Sequence, residues 1–169
     1  QVVEPRAGEI MFGLNLIVNR GKTIFICDTS VIEYPDANQL AEMAKSAARV
    51  VRLFGFDPRV AFLSHSTFGQ PATDRTKRLS DAVEILKKEK VDFKFDGEMQ
   101  PDVALEELYK ELYPFSEIVG SSNVLIMPSQ HSAAISYKMI KSMSRAKVIG
   151  PLLIGLGLPI EIAPLRTST

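Results

Sequence analysis

Three short apolar runs, residues 24–27, 60–63 and 124–127, each stop at a polar loop, and a helix-spaced segment follows each loop. Few architectures survive that alternation, because strands apolar on both faces must be covered by helices on both sides. It predicts an α/β layered, mostly parallel sheet with flanking helices. The first helix reads from Leu40, Met43, Ala44, Ala47, Val50, Val51 and Phe54, with Pro35-Asp36 as a start and Gly55 as a stop. A second spans about 74–90, with Leu79, Val83 and Leu86 as its buried stripe. Pro101, Leu105, Leu108, Tyr109 and Leu112 predict a short third helix ended by Pro114, and Ile135, Met139, Ile140 and Met143 a fourth. Residues 10–18 and 22–27 flank Asn19-Arg20-Gly21 as a hairpin, and 93–95, 147–153 and 160–163 read as further strands. The sequence Asp96-Gly97-Glu98 with Asp102 reads as turn and capping residues, without the spacing of a calcium loop.

The 169 residues suit one domain, large enough to bury a core without a metal or disulfide staple. Twenty basic residues balance twenty acidic ones, so the chain lacks the electrostatic footprint of a nucleic-acid or anionic-membrane binder. Five Gly and Pro residues interrupt the apolar stretch 148–163, which falls short of the roughly 18 residues a membrane helix needs. A single cysteine, Cys27, excludes an intrachain disulfide and a Cys-rich zinc site, and it favours a reducing, cytoplasmic setting. Its place in an apolar run makes it an inert buried thiol. The polar start without Met reads as a fragment or a processed product.

Ligands of open parallel sheets bind beyond the carboxyl ends of the strands, which directs attention to three loops. They carry Asp28-Thr29-Ser30, Ser64-His65-Ser66-Thr67-Phe68-Gly69 and Pro128-Ser129-Gln130-His131. Hydroxyls and backbone amides around a glycine suit a phosphate or a thioester carbonyl. The same residues also suit a surface loop that satisfies its own backbone and caps a helix, and residue chemistry alone favours that plainer reading. His65 has no partner in sequence that would complete a catalytic triad. Asp28 fits a binding-site acceptor and an ordinary turn equally well. The pair Gly155 and Gly157 lacks the third glycine and the helix start of a dinucleotide-binding loop.

Taken in order, four motifs resemble the phosphate acetyltransferase and phosphate butyryltransferase family. They are Phe25-Ile26-Cys27-Asp28-Thr29, the stretch from Val60 through Ser64-His65-Ser66-Thr67-Phe68-Gly69, Phe95-Asp96-Gly97-Glu98-Met99-Gln100, and Ile149-Gly150-Pro151-Leu152-Leu153. Phosphotransacetylases usually carry lysine where this chain has Phe68. The present loop looks like that of the phosphotransacetylase-like C-terminal domain of large bacterial NADP-dependent malic enzymes. The family's later Asp-Leu-Ser-Arg-Gly phrase is replaced by Ile162-Ala163-Pro164-Leu165-Arg166. Proline offers no hydroxyl and leucine no fork of N–H donors. Lys138 falls on the family's Tyr-Lys pair, and Ser142 stands where active members often have arginine.

The resemblance implies one lobe of a two-lobed, isocitrate dehydrogenase-like domain, with residues 1–169 as a single lobe of a longer chain. It implies binding of acetyl-CoA or a related acyl-CoA as an allosteric effector, without acyl transfer. The residues it assigns to the acyl-CoA and phosphate cleft are Asp28, Thr29, Ser64, His65, Ser66, Thr67, Lys138 and Arg166. No catalytic residue, metal ligand or cofactor site is expected within the segment. NADP and a divalent metal, Mg or Mn, would belong to a malic enzyme catalytic domain in the same chain, and the whole is expected to be a homo-oligomer. The alternative is an active phosphate acetyltransferase.

Overall fold

The computed structural model describes residues 8–157 and 160–161. In chain order it contains β1 (Phe12–Asn19), β2 (Lys22–Cys27), α1 (Ala37–Leu53), β3 (Arg59–Leu63), α2 (Asp74–Glu89) and β4 (Lys94–Met99). There follow α3 (Pro101–Leu105), a 3-10 segment (Glu107–Glu111), β5 (Val124–Ile126), α4 (Gln130–Met143), β6 (Lys147–Ile154) and β7 (Ile160–Glu161). All seven strands join one sheet in the order β4-β3-β5-β2-β1-β6-β7. Neighbours from β4 to β2 pair parallel, whereas β1 runs antiparallel to both β2 and β6, and β7 to β6. Five strands therefore share one direction, as the alternation of strand and helix predicts.

The local signals explain where the elements begin and what they bury. Arg20 and Gly21 both take positive φ, the geometry of a tight hairpin turn that suits the twist of β1 and β2. Three helices open with reciprocal caps: Asp36 with Gln39, Thr73 with Thr76, and Ser129 with Ser132. Helices α1 and α2 cover one face of the sheet, where Leu40, Met43, Leu79 and Leu86 meet Phe12, Phe25 and Phe62. On the opposite face α3, the segment around Ile118 and Val119, and α4 meet Ile17, Ile26 and Leu125.

Three expectations change. Residue Glu106 adopts an extended conformation, φ −110° and ψ 121°, so the third helix breaks into α3 and the 3-10 segment. Leu108 and Leu112, which mark the expected third helix, lie exposed. The same holds on α4: Ile135, Met139, Ile140 and Met143 face outward, and Ala133 is its buried residue. The strand expected at 93–95 instead runs to Met99 through Asp96-Gly97-Glu98, which is therefore no turn. A Cβ at Gly97 would fall 2.8 Å from the Phe62 carbonyl oxygen, so only glycine lets β4 lie this close to β3. Of the strand expected at 160–163, Ile160–Glu161 forms and residues 162–163 lie outside the described residues.

Strands β3 and β5 are neighbours, yet β3 leads to α2 on one face and β5 to α4 on the other. Such a switch point opens a crevice at the strands' carboxyl ends.

Candidate functional site

A crevice of about 420 Å³ occupies that switch point. Leu63 and Ser64-His65 form one side and Met127-Pro128-Ser129 another, while Arg75, Arg78 and Leu79 of α2 supply a wall. That volume is in the range of small-molecule sites. The Arg78 guanidinium donates to the carbonyls of Pro35 and Pro128, each at 2.8 Å, and its carbon sits 4.8 Å from the Tyr34 ring centroid. Its donors are thus occupied in clamping α2 to two loops. Arg75 and His65 are exposed and offer the crevice a cation and an imidazole.

The loop after β3 is shaped by Glu98, which is almost fully buried at 1% exposure. Its Oε1 accepts from the Ser66 hydroxyl at 3.0 Å and from the Gly69 N–H at 2.6 Å, and its Oε2 from the Ser80 hydroxyl at 2.6 Å. Its carbonyl accepts from the Phe68 N–H at 2.7 Å. Burial alone would raise this carboxyl's pKa; the bonds from Ser80, Gly69 and Ser66 outweigh it and hold the group below its ordinary value. Ser66 Oγ also lies 3.2 Å from Ser64 Oγ. A line of hydroxyls thus runs from the crevice wall to a buried anion.

Beyond Thr67 the chain reverses through Phe68 and Gly69, at φ 48° and 83°, with Thr67 and Gln70 exchanging backbone hydrogen bonds. A positive φ is uncommon for a bulky residue. Packing offsets it: the Phe68 ring lies 5.3 Å from Tyr113 and 4.9 Å from Phe115, centroid to centroid.

Among the residues assigned to the cleft, the structure brings Ser64 and His65 to the crevice. Ser66 and Thr67 are buried behind them, Ser66 on Glu98 and Thr67 accepting from the Gln100 N–H at 3.2 Å. Asp28 lies elsewhere, buried at 1% exposure. One oxygen accepts from the N–H groups of Gly13, Ser30 and Val31, at 2.7, 2.8 and 3.1 Å. The other accepts from Ile32 at 2.5 Å, so this carboxylate shapes its own loop. Thr29 is buried beside it, Lys138 is exposed on α4, and Arg166 lies outside the described residues. Residue patterns overlooked Glu98, which read as part of a turn, and Arg75. The available signals were an acidic residue next to Met99 at the end of a strand, and an arginine in the first turn of a helix that follows a hydroxyl-rich loop.

The structure is an open α/β sheet with a hydroxyl-lined crevice at its switch point, the place where proteins of this architecture bind their ligands. Comparison makes the assignment specific. The chain belongs to the Phosphate acetyl/butaryl transferase family, whose model matches residues 1–166. It is 43% identical over 166 residues to the NADP-dependent malic enzyme of Rhizobium meliloti (strain 1021), covering 98% of this chain and 22% of that protein. It is 33% identical over 163 residues to the phosphate acetyltransferase of Bacillus subtilis (strain 168), covering 95% of this chain and 50% of that protein. The EutD phosphotransacetylase from Staphylococcus aureus superposes with a TM-score of 0.88 at 27% identity, over 98% of this chain and 52% of the other. The chain thus spans about a fifth of the malic enzyme and half of the phosphate acetyltransferase.

Proposed function

We propose that this segment is the phosphotransacetylase-like C-terminal part of a malic enzyme and that its crevice binds acetyl-CoA or a related acyl-CoA as an effector, without transferring the acyl group. One observation carries the reading: the crevice keeps its hydroxyl wall and loop scaffold, while Phe68 fills the loop tip with an aromatic contact instead of a cation. In this reading the Ser64 hydroxyl meets a thioester carbonyl or a phosphate oxygen, and Arg75 supplies the compensating charge. Among the described residues no group of three His, Cys, Asp or Glu could hold a metal. NADP, the divalent metal and the oxidative decarboxylation of malate belong, in this reading, to the rest of the parent chain.

An effector shifts activity only if it binds two states of the protein unequally, so acyl-CoA must contact an active and a less active arrangement differently. Isothermal titration of the full-length protein with acetyl-CoA should give saturable binding that weakens on Arg75→Ala. No heat at millimolar ligand rejects the proposal.

The second reading, an active phosphate acyltransferase, draws support from the line of hydroxyls between Ser64 and Glu98. There the coenzyme A thiolate would attack the acyl-phosphate carbonyl, forming the C–S bond while the C–O bond to phosphate breaks, with Ser64 donating to the developing oxyanion. Release of phosphate from acetyl phosphate, dependent on coenzyme A, separates the readings. Sustained turnover by the full-length protein favours the enzyme, and its absence alongside acetyl-CoA binding favours the sensor.

A further inference from the structure

The crevice at the switch point differs from the surrounding surface in the sign of its charges. Among the described residues its lining carries Arg75 and Arg78 from α2, His65 from the loop after β3 and Tyr34 from the loop after β2, and no carboxylate. Helix α3 contributes Pro101, and the start of α4 brings Ser129 and Ser132, all uncharged. Glu98 stands behind this wall with its oxygens turned to Ser66, Gly69 and Ser80. On the outer surface of α1 and α2 cations are matched: Lys45 with Glu42 and Glu89, Arg52 with Asp92, and Lys77 with Asp81. The two histidines of the segment differ in the same way. His131 lies 3.5 Å from Glu33, whereas among the described residues no carboxylate pairs with His65. Leu63, Leu79, Met127 and two prolines surround the crevice cations with apolar surface, and such walls strengthen the pull of a charge on a ligand.

We infer that His65 and Arg75 together hold a doubly charged oxyanion, a phosphoryl group, and that His65 takes up a proton as that group enters. Arg75 offers N–H donors with a fixed charge, and Ser64 a hydroxyl. Arg78 adds charge but few donors, because its nitrogens already donate to the carbonyls of Pro35, Arg75 and Pro128. Imidazole changes charge between pH 5 and 8; when neutral it donates through one ring nitrogen, and as imidazolium through both. An entering dianion supplies the negative charge that the lining lacks, which favours the imidazolium. The proton comes from solvent and returns to it when the ligand leaves, so affinity rises as the pH falls. The inference rests on the reading of the crevice as the ligand site. It applies equally to a phosphate of coenzyme A and to free phosphate, since the recognised chemistry is the same.

The probe is inorganic sulfate, which keeps both charges across this pH range, so that pH acts on the protein and not on the ligand. The full-length protein is titrated by calorimetry in two buffers of different ionisation enthalpy, with ionic strength held constant by chloride. Wild type should take up about half a proton per sulfate and bind about fivefold more tightly at about pH 6.5 than at about pH 8. His65→Asn should lose both effects and His131→Asn neither. His65→Lys carries its charge throughout, so its affinity for sulfate should no longer follow pH; it also serves if the asparagine form fails to fold. Proton uptake that survives His65→Asn, or absence of sulfate binding, overturns the inference. Acetyl-CoA then identifies the source. Linked sulfate binding that acetyl-CoA displaces assigns the phosphoryl group to the coenzyme. Linked sulfate binding that acetyl-CoA does not displace assigns it to a free phosphate and, where acetyl-CoA does not bind at all, rejects the acyl-CoA reading alone. Acetyl-CoA binding by a protein whose sulfate binding lacks the linkage overturns the His65 inference and leaves the effector reading standing.

Discussion

Asp28 and Glu98 are both carboxylates at strand ends, both 1% exposed, and both surrounded by donors, yet they organise different kinds of loop. Asp28 collects backbone N–H groups, three of them two to four residues ahead and one from Gly13 in the adjacent strand. Glu98 draws on Ser66, Gly69 and Ser80, which lie 32, 29 and 18 residues away. The first makes a local knot that needs only its own turn and the neighbouring strand. The second ties β4, the crevice loop and α2 together, so it transmits the packing of three elements to the wall where Ser64 sits. A buried carboxylate at a strand end is therefore not by itself a ligand site; the origin of its donors decides what it serves.

The largest expected effect comes from Asp28→Ala, which leaves four N–H groups without an acceptor and should lower stability by about 4 kcal/mol in urea unfolding. If the refolded fraction still binds acetyl-CoA at wild-type affinity, the contrast between the two carboxylates holds. Glu98→Gln should cost about 2 kcal/mol, because an amide keeps the shape but loses the charged acceptor. Unlike the Asp28 variant, it should also weaken acetyl-CoA binding; equal binding by both variants would erase the distinction. Phe68→Lys should lose about 1–2 kcal/mol of aromatic packing while strengthening binding of inorganic phosphate, as calorimetry can measure. Acid should reveal Glu98 more gently. Its folded pKa lies below its unfolded one, so its contribution is complete above about pH 4.3 and is lost as the pH falls through the folded value. Below that point wild type should lose stability more steeply than Glu98→Gln. The smallest effect concerns Cys27, whose thiol is pushed up first by burial and then by the Asp28 charge; native protein should resist alkylation until it unfolds.

Much of the fold was legible because period and caps act locally. The spacing from Leu40 to Phe54 and the paired caps fix the helices of the covered face without reference to distant residues. The other face was less legible: its fourth helix forms where the spacing puts it, but 3-4 spacing reports that a helix has an apolar stripe, not that this segment supplies its cover. Ile135, Met139 and Met143 follow the pattern as faithfully as Leu40 and Met43 do, and end up outside. The crevice was half legible. Loop chemistry at the ends of β3 and β5 pointed to Ser64 and His65, whereas Glu98 acts through partners far along the chain, a relation that no spacing rule encodes. Thr67 shows the converse, a hydroxyl chosen for its type whose bonds turn inward.

The pairing of β1 with β6 joins Phe12 to Ile154 across almost the whole described chain. During synthesis β1 and β2 emerge ahead of the other strands of this sheet, but one edge of β1 has no partner until β6 has left the ribosome. For that interval the nascent sheet presents an open strand rich in Leu and Ile, the kind of edge on which chains add to one another. Closure also sets a high contact order, so folding of this layer should be slow relative to its helices. A truncation ahead of Lys147 should therefore yield aggregates rather than a smaller folded domain.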